Sequence, residues 1–404
     1  MDLLIQHGHA RREHISNGLS DGTVRGVIVA GKDETPQHAR DLIAQIRAEH
    51  GRAVRVMFDP QFGALATAGS RIRFLTRYPY FRPNLRLASL RGRYLRQLVE
   101  DVLGFQAELP VDRIIAPALT LRSFTDRASL RALDLMDESA EVHASLADPP
   151  PLLLSLVFED HVLGDLQRLG EFLDELVLRQ VAGFYLLVHH RSKQYSQRID
   201  PGCLAGLMYM VYVLGQRHGM EVICGYTDLL SMVLGAVGAT SCASGWSQNL
   251  RRFSDARFGS GGGGGHRPRR RYTALPMLNS LLLSELDNCL RVNALGRVLS
   301  GGPHDGVFAG TTAPSQADWT PDTEARHHWW VLSRATAAIR AESLEDRLAI
   351  CADRIRRAQR SYDDLAELGV PFDTAAGTNG FHLQEWADGI LGFCSAAGLP
   401  PPTT

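Results

Sequence analysis

Acids, histidines and hydroxyls recur where apolar runs of this chain stop. RVMFD ends at Asp59, SLVFED at Glu159 and Asp160, FYLLVHH at His189 and His190, ICGYTD at Tyr226 and Asp228, and TSCAS at Ser244. Lys32 and Asp33 follow GVIVAG in the same way. Two carboxylates from different strands can serve as acid and base, or as nucleophile and acid. Asp59, Glu159, His189 and Asp228 are therefore the candidate catalytic residues. Each has a plainer alternative. Asp59 stands before Pro60 and can be a turn cap, and Thr227 and Asp228 can cap the helix that follows them. Neighbouring side chains alternate across a strand, so only one of His189 and His190 can face a common mouth.

A second set of residues suits phosphate. Between Pro60 and Val99 there is no Asp or Glu, and the window carries Arg71, Arg73, Arg77, Arg82, Arg86, Arg91, Arg93 and Arg96. Phe74, Tyr78, Tyr80, Phe81 and Tyr94 are interleaved with them. Arginine supplies phosphate contacts and aromatic rings supply stacking surfaces for unpaired bases. Arg267, Arg269, Arg270 and Arg271 follow the glycine run 261–265 and suit a tether that closes over a polyanion. A solvated arginine-rich surface paired with acids elsewhere, and a plain surface loop, are the alternatives. Lys32 and Lys193 are the only lysines. An arginine fork meets phosphate bidentately where a lysine cannot. His304, His327 and His328 lie close in sequence, but no cysteine accompanies them, and no metal motif stands out.

The elements that must position these groups alternate. RGVIVAG, RAVRVMFD, RIIAPAL, PLLLSLVFED, AGFYLLVHH, MEVICGY and ATSCASGW are short, apolar and near-continuous, as strands buried on both faces should be. Helical stretches separate most of them, which implies a parallel sheet with crossover helices. Seven such units plus an eighth run, GRVLSGG at 296–302, predict a (β/α)8 TIM-like barrel of about 250 residues, with its chemistry at the strand C-termini. A doubly wound open sheet is the alternative, but no GxGxxG follows the first strand. The predicted organisation is a flexible N-terminus at 1–24, a barrel at 25–302 with insertions at 60–92 and 254–274, a loop at 303–324, and a helical C-terminal extension at 325–404.

Bulk properties exclude several classes. A net charge of −1 rules out polyelectrolyte behaviour, so any charge argument rests on distribution. No apolar run approaches the ~20 residues needed to span a bilayer. The first residues lack a signal-peptide core. Six scattered cysteines without CxxC read as free thiols in a reducing cytosol. The expectation is a cytoplasmic protein with no membrane partner.

GYTDLLSMVLGAVGATSCASGWSQNLRR resembles the late barrel segment of the tRNA-guanine transglycosylases, in which a glycine-containing turn leads into a Leu-Leu helix and then the nucleophile-bearing strand. GGHRPRRRY resembles the segment after that strand. FDPQFG, with FRPNLRLASLRGRYLRQLVEDVLGFQAELPVDRIIAP, resembles the family's Asp-bearing strand end, helix and third strand. SGGPHDG and HHWW sit where the family places its zinc insert and downstream helix. The resemblance covers roughly 50–345. It implies a barrel acting on nucleic acid, tRNA or DNA, with Asp59 as acid/base. The chain departs from the family in three places. Cys242–Ser244 stand where the nucleophilic Asp falls, no zinc cysteines occur around Gly301–Asp305, and VHHR at 188–191 replaces the Gly-Gly turn that recognises the base. Cys242 is a substitute nucleophile by position, although a cysteine in a strand is more often packing. No cofactor is expected, the zinc site of the family being lost.

The functional expectation is a transglycosylase-like protein, a glycosyltransferase if active, that binds phosphate through Arg73, Arg77, Arg82, Arg86, Arg267, Arg269, Arg270 and Arg271. A non-catalytic subunit binding nucleic acid or protein, and a barrel enzyme for a small anionic metabolite, are the alternatives.

Overall fold

The computed structural model describes residues 1–9, 13–64, 74–82, 85–86, 90–190, 195–254, 258, 269–339, 341 and 343–402. Eight parallel strands close into a barrel: β1 (Asp2–Gln6), β2 (Gly26–Ala30), β3 (Arg55–Asp59), β4 (Arg113–Ile115), β6 (Leu152–Glu159), β7 (Gly183–His189), β8 (Glu221–Cys224) and β9 (Ser241–Ser244). The two-residue β5 (Thr120–Leu121) extends the wall beside Val157 and Phe158. The ring closes where β4 meets β6 and where β1 meets β9. The strands form because their Val, Ile and Leu runs suit a pleated surface buried on both sides. All five residues of β2 and all eight of β6 are buried.

Helices ring the barrel: α1 (Glu13–Ser20), α2 (Pro36–His50), α3 (Gly92–Ala107), α4 (Arg127–Ser145), α5 (Leu166–Leu176), α6 (Pro201–Val211) and α7 (Ser231–Ala236). Between β9 and the eighth ring helix stand a hairpin, β10 (Arg271–Ala274) with β11 (Asn279–Leu282), and two short helices, α8 (Leu283–Arg291) and α9 (Leu295–Val298). The eighth ring helix is α10 (Pro321–Ala337), packed against α1, α7 and β1. Beyond it come α11 (Leu344–Glu367) and α12 (His382–Ala397).

Three boundaries differ from those predicted. The expected flexible N-terminus holds a strand: Leu3, Leu4 and Ile5 are buried in β1, the first strand of the barrel. The run at 296–302 is not the eighth strand. Leu295–Val298 is helical, and β9 takes that place by closing onto β1. The expected extension from 325 begins with the barrel's own last helix, and α11 and α12 follow it as additions.

Helix α6 explains why α12 is needed. LAGLMYMV is apolar on every side, and a helix of that kind must be covered on every side. The barrel covers one face and α12 the other. At Gly389 of α12 a Cβ would come within 2.7 Å of the Leu204 side chain.

The N-terminal end of the barrel is sealed by charge. Arg55, Arg113 and Glu221 each begin a strand. Glu221 accepts from Arg55 and, at 2.7 Å, from Nε of Arg113, while Arg55 also donates to Ser241 Oγ at 3.0 Å. Among the described residues, no helix is long and apolar enough to cross a membrane, and all six cysteines are buried and free.

Candidate active site at the barrel mouth

Asp59 ends β3 because Pro60 cannot continue the ladder. Its Oδ1 accepts the Gln61 N–H at 2.9 Å, so the turn-capping role read from the sequence is present. The carboxylate is also drawn into the barrel mouth. Tyr185, on β7, places its hydroxyl 3.4 Å from Asp59 Oδ2 and 3.2 Å from Oε1 of Gln6. Burial, with the Asp59 charge beside it, holds the Tyr185 phenol well above its ordinary pKa, so at neutral pH it keeps its proton and serves as a hydrogen-bond donor. Asp59 is 4% exposed. It lines a cleft with Gln61, Ser155, Phe253 and Phe258.

Gln61 ties this cleft to two other strand ends. Its Oε1 accepts the Lys32 N–H at 3.0 Å and its Nε2 donates to the Tyr226 hydroxyl at 2.7 Å. Gly225 precedes Tyr226 because a Cβ there would lie 2.6 Å from the Tyr185 hydroxyl. The glycine of GYTD thus lets β8 come close to the tyrosine that faces Asp59.

Asp228 lines an adjacent cavity. Its Oδ1 accepts the Leu229 N–H at 2.8 Å, and the Tyr195 hydroxyl donates to its Oδ2. Tyr195 in turn accepts from Gln197 Nε2 at 2.9 Å and carries the Arg271 guanidinium 5.0 Å above its ring. His328 Nε2 is 4.0 Å from Asp228 Oδ1 and 3.0 Å from Ser244 Oγ, which links the end of β9 to the same network. The rings of Tyr226 and Phe253, 5.1 Å apart, stand between the two cavities.

The other two candidates line neither of these cavities. Glu159 and His189 are register partners on β6 and β7. Glu159 accepts from Arg122 Nε at 2.8 Å, and the His189 ring packs edge-on against Phe253. It is His190 that lines the Asp228 cavity. Burial and the nearby Arg252 push its pKa well below the ordinary histidine value, so it is neutral.

The arginines divide. Arg73 and Arg267 lie outside the described residues. Arg77 and Arg86 are exposed. Arg82 is paired with Asp101, and Arg269 with Asp373 at 3.0 Å. Arg270 donates to the Trp319 carbonyl. Arg271 is buried and spans the carbonyls of Ser280 and Ala376, which removes it from any phosphate-facing surface. The aromatics of the acid-free window also differ from expectation. Tyr78 and Tyr80 are not stacking platforms but core residues, stacked on each other at 5.1 Å and packed on Phe105. Tyr94 is exposed.

Cys242 is fully buried and hydrogen-bonded to Cys224. Among the described residues, no group of three or more His, Cys, Asp and Glu side chains is arranged to hold a metal ion.

Tyr185, Gln61 and Tyr195 were not singled out from the sequence. Tyr185 had a signal, a hydroxyl inside the apolar run GFYLLVH, and so had Gln61, two residues beyond Asp59. Tyr195 had none. No protein-family model matches the chain, and no curated protein matches it either.

Proposed function

We propose that this barrel acts at the glycosidic bond of a nucleoside within a nucleic acid, tRNA or DNA, with Asp59 as the acid/base. One observation carries the reading. A buried carboxylate at the C-terminal end of a barrel strand accepts a hydrogen bond from Tyr185 and lines a cleft whose aromatic walls, Phe253 and Phe258, suit a planar base. As acid, Asp59 gives its proton to the departing base as the glycosidic bond to that base breaks, and as carboxylate it then takes the proton of the incoming base as the new glycosidic bond forms. Tyr185 and Gln61 hold the carboxyl in place for both transfers. Exposed Arg77, Arg86, Arg91 and Arg93 around exposed Tyr94 suit contact with the polymer backbone.

A second reading has its own observation. The end of β9 bears Cys242, Ala243 and Ser244, and Ser244 is bound to His328, so no carboxylate nucleophile stands there. That favours a binding protein of the same architecture, without catalysis. Titration with tRNA, single-stranded DNA and duplex DNA at several salt concentrations, followed by exchange of labelled guanine into whichever polymer binds, separates the readings. Binding with exchange supports the enzyme, and binding alone supports the second reading. No binding to any polymer at low salt overturns both.

A further inference from the structure

We infer that Gln6 is a positioning residue for Asp59: its side-chain amide donates to the Tyr185 hydroxyl and so commits the single Tyr185 proton to the Asp59 carboxylate. The catalytic consequence rests on the reading of Asp59 as acid/base; the hydrogen bonds do not.

Gln6 is the last residue of β1, Asp59 the last of β3, and Tyr185 the third of β7. β1 is paired with β2 and β9, so these three side chains meet inside the barrel rather than along its wall. Solvent is closed off from all three. Gln6 and Tyr185 are fully buried, and so nearly is Asp59. A polar group buried this deeply must find its partner within the protein.

The Tyr185 hydroxyl has one proton and two acceptors beside it. Gln6 Oε1 lies 3.2 Å away and Asp59 Oδ2 3.4 Å away. Only one of them can take the proton at a time. Meanwhile Gln6 Nε2 is buried with no hydrogen-bond partner. Two acceptors thus compete for one proton while a buried amide donor has no acceptor. The nitrogen and oxygen of an amide are assigned from such counts. Turning the Gln6 amide through half a turn moves no other group and puts Nε2 beside Tyr185. Gln6 then donates to the hydroxyl oxygen, and Tyr185 donates to Asp59 alone. The carbonyl left over costs less than the N–H it replaces, because buried carbonyls without a partner are better tolerated than N–H groups without one.

The outcome is a chain of donors with one direction, from β1 through β7 to β3. Asp59 holds a donor on each oxygen, the Gln61 N–H on Oδ1 at 2.9 Å and Tyr185 on Oδ2. Charge-assisted bonds of this kind fix a carboxylate's orientation as well as adding energy.

Nuclear magnetic resonance of the full chain, labelled with nitrogen-15, reads the amide directly. The Gln6 side-chain N–H signals are identified by their contact with the Tyr185 ring and by their loss in Gln6→Met. In Tyr185→Phe the ring stays and the acceptor goes. One Gln6 amide proton should then move upfield, as a donor does when its hydrogen bond is removed. Both protons unmoved would overturn the inference, because Gln6 would then face Tyr185 with its oxygen. Should Gln6→Met not fold, the wild type and Tyr185→Phe carry this decision, since the ring contact still identifies the signals. Kinetics reads the consequence. Gln6→Met should lower kcat for base exchange about tenfold with KM unchanged, and Gln6→Glu, whose carboxylate draws the Tyr185 proton away from Asp59, should lower it further. A Gln6→Met kcat at or above that of the wild type would also overturn the inference, because a Gln6 that merely competes for the Tyr185 proton is better removed. A wild type that exchanges no base defeats the acid/base reading instead, and the amide signals still decide whether Gln6 is the donor.

Discussion

Gln61 and Tyr226 both hold left-handed backbone conformations, at φ 50° and 53°, and are hydrogen-bonded to each other across the barrel mouth at 2.7 Å. Neither is glycine, so each stores conformational strain. Each also lies two residues beyond its strand, at the ends of β3 and β8. Strain at such positions marks sites where geometry is imposed for use.

This relationship sets an order of stabilities. Gln61→Ala keeps the left-handed backbone and loses the bonds to Lys32 and Tyr226, a cost of about 2 kcal/mol. Gln61→Gly loses the same bonds but relieves about 1 kcal/mol of strain. In urea unfolding, the glycine variant should be the more stable of the two. An alanine variant at least as stable would show that the turn is unstrained.

The seal at the opposite end should matter for stability alone. Glu221 neutralises Arg55 and Arg113 and is largely buried, so Glu221→Gln leaves two guanidinium groups without their acid. The expected loss is about 2–3 kcal/mol, below the full cost of breaking a buried pair because the arginines are partly exposed. Binding and turnover per folded molecule should be unchanged, since the N-terminal face of a barrel serves stability. A folded variant with altered ligand binding would contradict this division.

Acid should unfold the chain through its buried histidines. Burial lowers His327 and His382 to about 4 from an ordinary 6.5, and His382 donates to the Leu278 carbonyl at 2.9 Å. Below pH 6.5 the unfolded chain binds protons that the folded chain refuses. Stability is therefore complete above that value and is lost as pH falls towards about 4, by roughly 1.4 kcal/mol per pH unit per histidine. Urea unfolding at pH 7.5, 6.0 and 5.0 measures the slope, and His382→Gln should reduce it by about one histidine's share. A flat profile between pH 6.5 and pH 5 would contradict the assignment.

If a polymer binds, the exposed arginines should carry its salt dependence. Arg77→Ala with Arg86→Ala should reduce the slope of log K against log salt by about 1 to 2. Arg271→Ala should instead lower stability, because its guanidinium joins Ser280, Ala376 and the Tyr195 ring. A change in salt slope from Arg271→Ala in a folded protein would reverse that assignment.

The barrel was legible because its strands are buried on both faces, and continuous apolar runs such as LLLSLVFE announce that burial. What failed to show was context. DLLIQ is as apolar as any other strand, but it stands at the chain start among polar neighbours, and only its pairing with β2 and β9 makes it the first strand. GRVLSGG has a strand-like composition, yet the ring is already closed without it. At the mouth, Asp59 and Asp228 could be read from where apolar runs stop. Their partners could not, because Tyr185 reaches Asp59 from β7 and Tyr195 reaches Asp228 from the segment after β7, meetings that closure of the barrel makes. The acid-free window misled for a related reason. Its charge pattern is plain in sequence, but whether Tyr78 and Tyr80 face bases or the core depends on what packs over them.

The most direct test of the account compares the wild-type chain and Asp59→Asn for incorporation of labelled guanine into tRNA and DNA under single-turnover conditions, with polymer affinity measured in parallel. The account expects exchange by the wild type, at least about a hundredfold slower exchange by Asp59→Asn, and polymer affinity within about twofold. Equal exchange rates for the two proteins, or no exchange by the wild type on a polymer it binds, would contradict it.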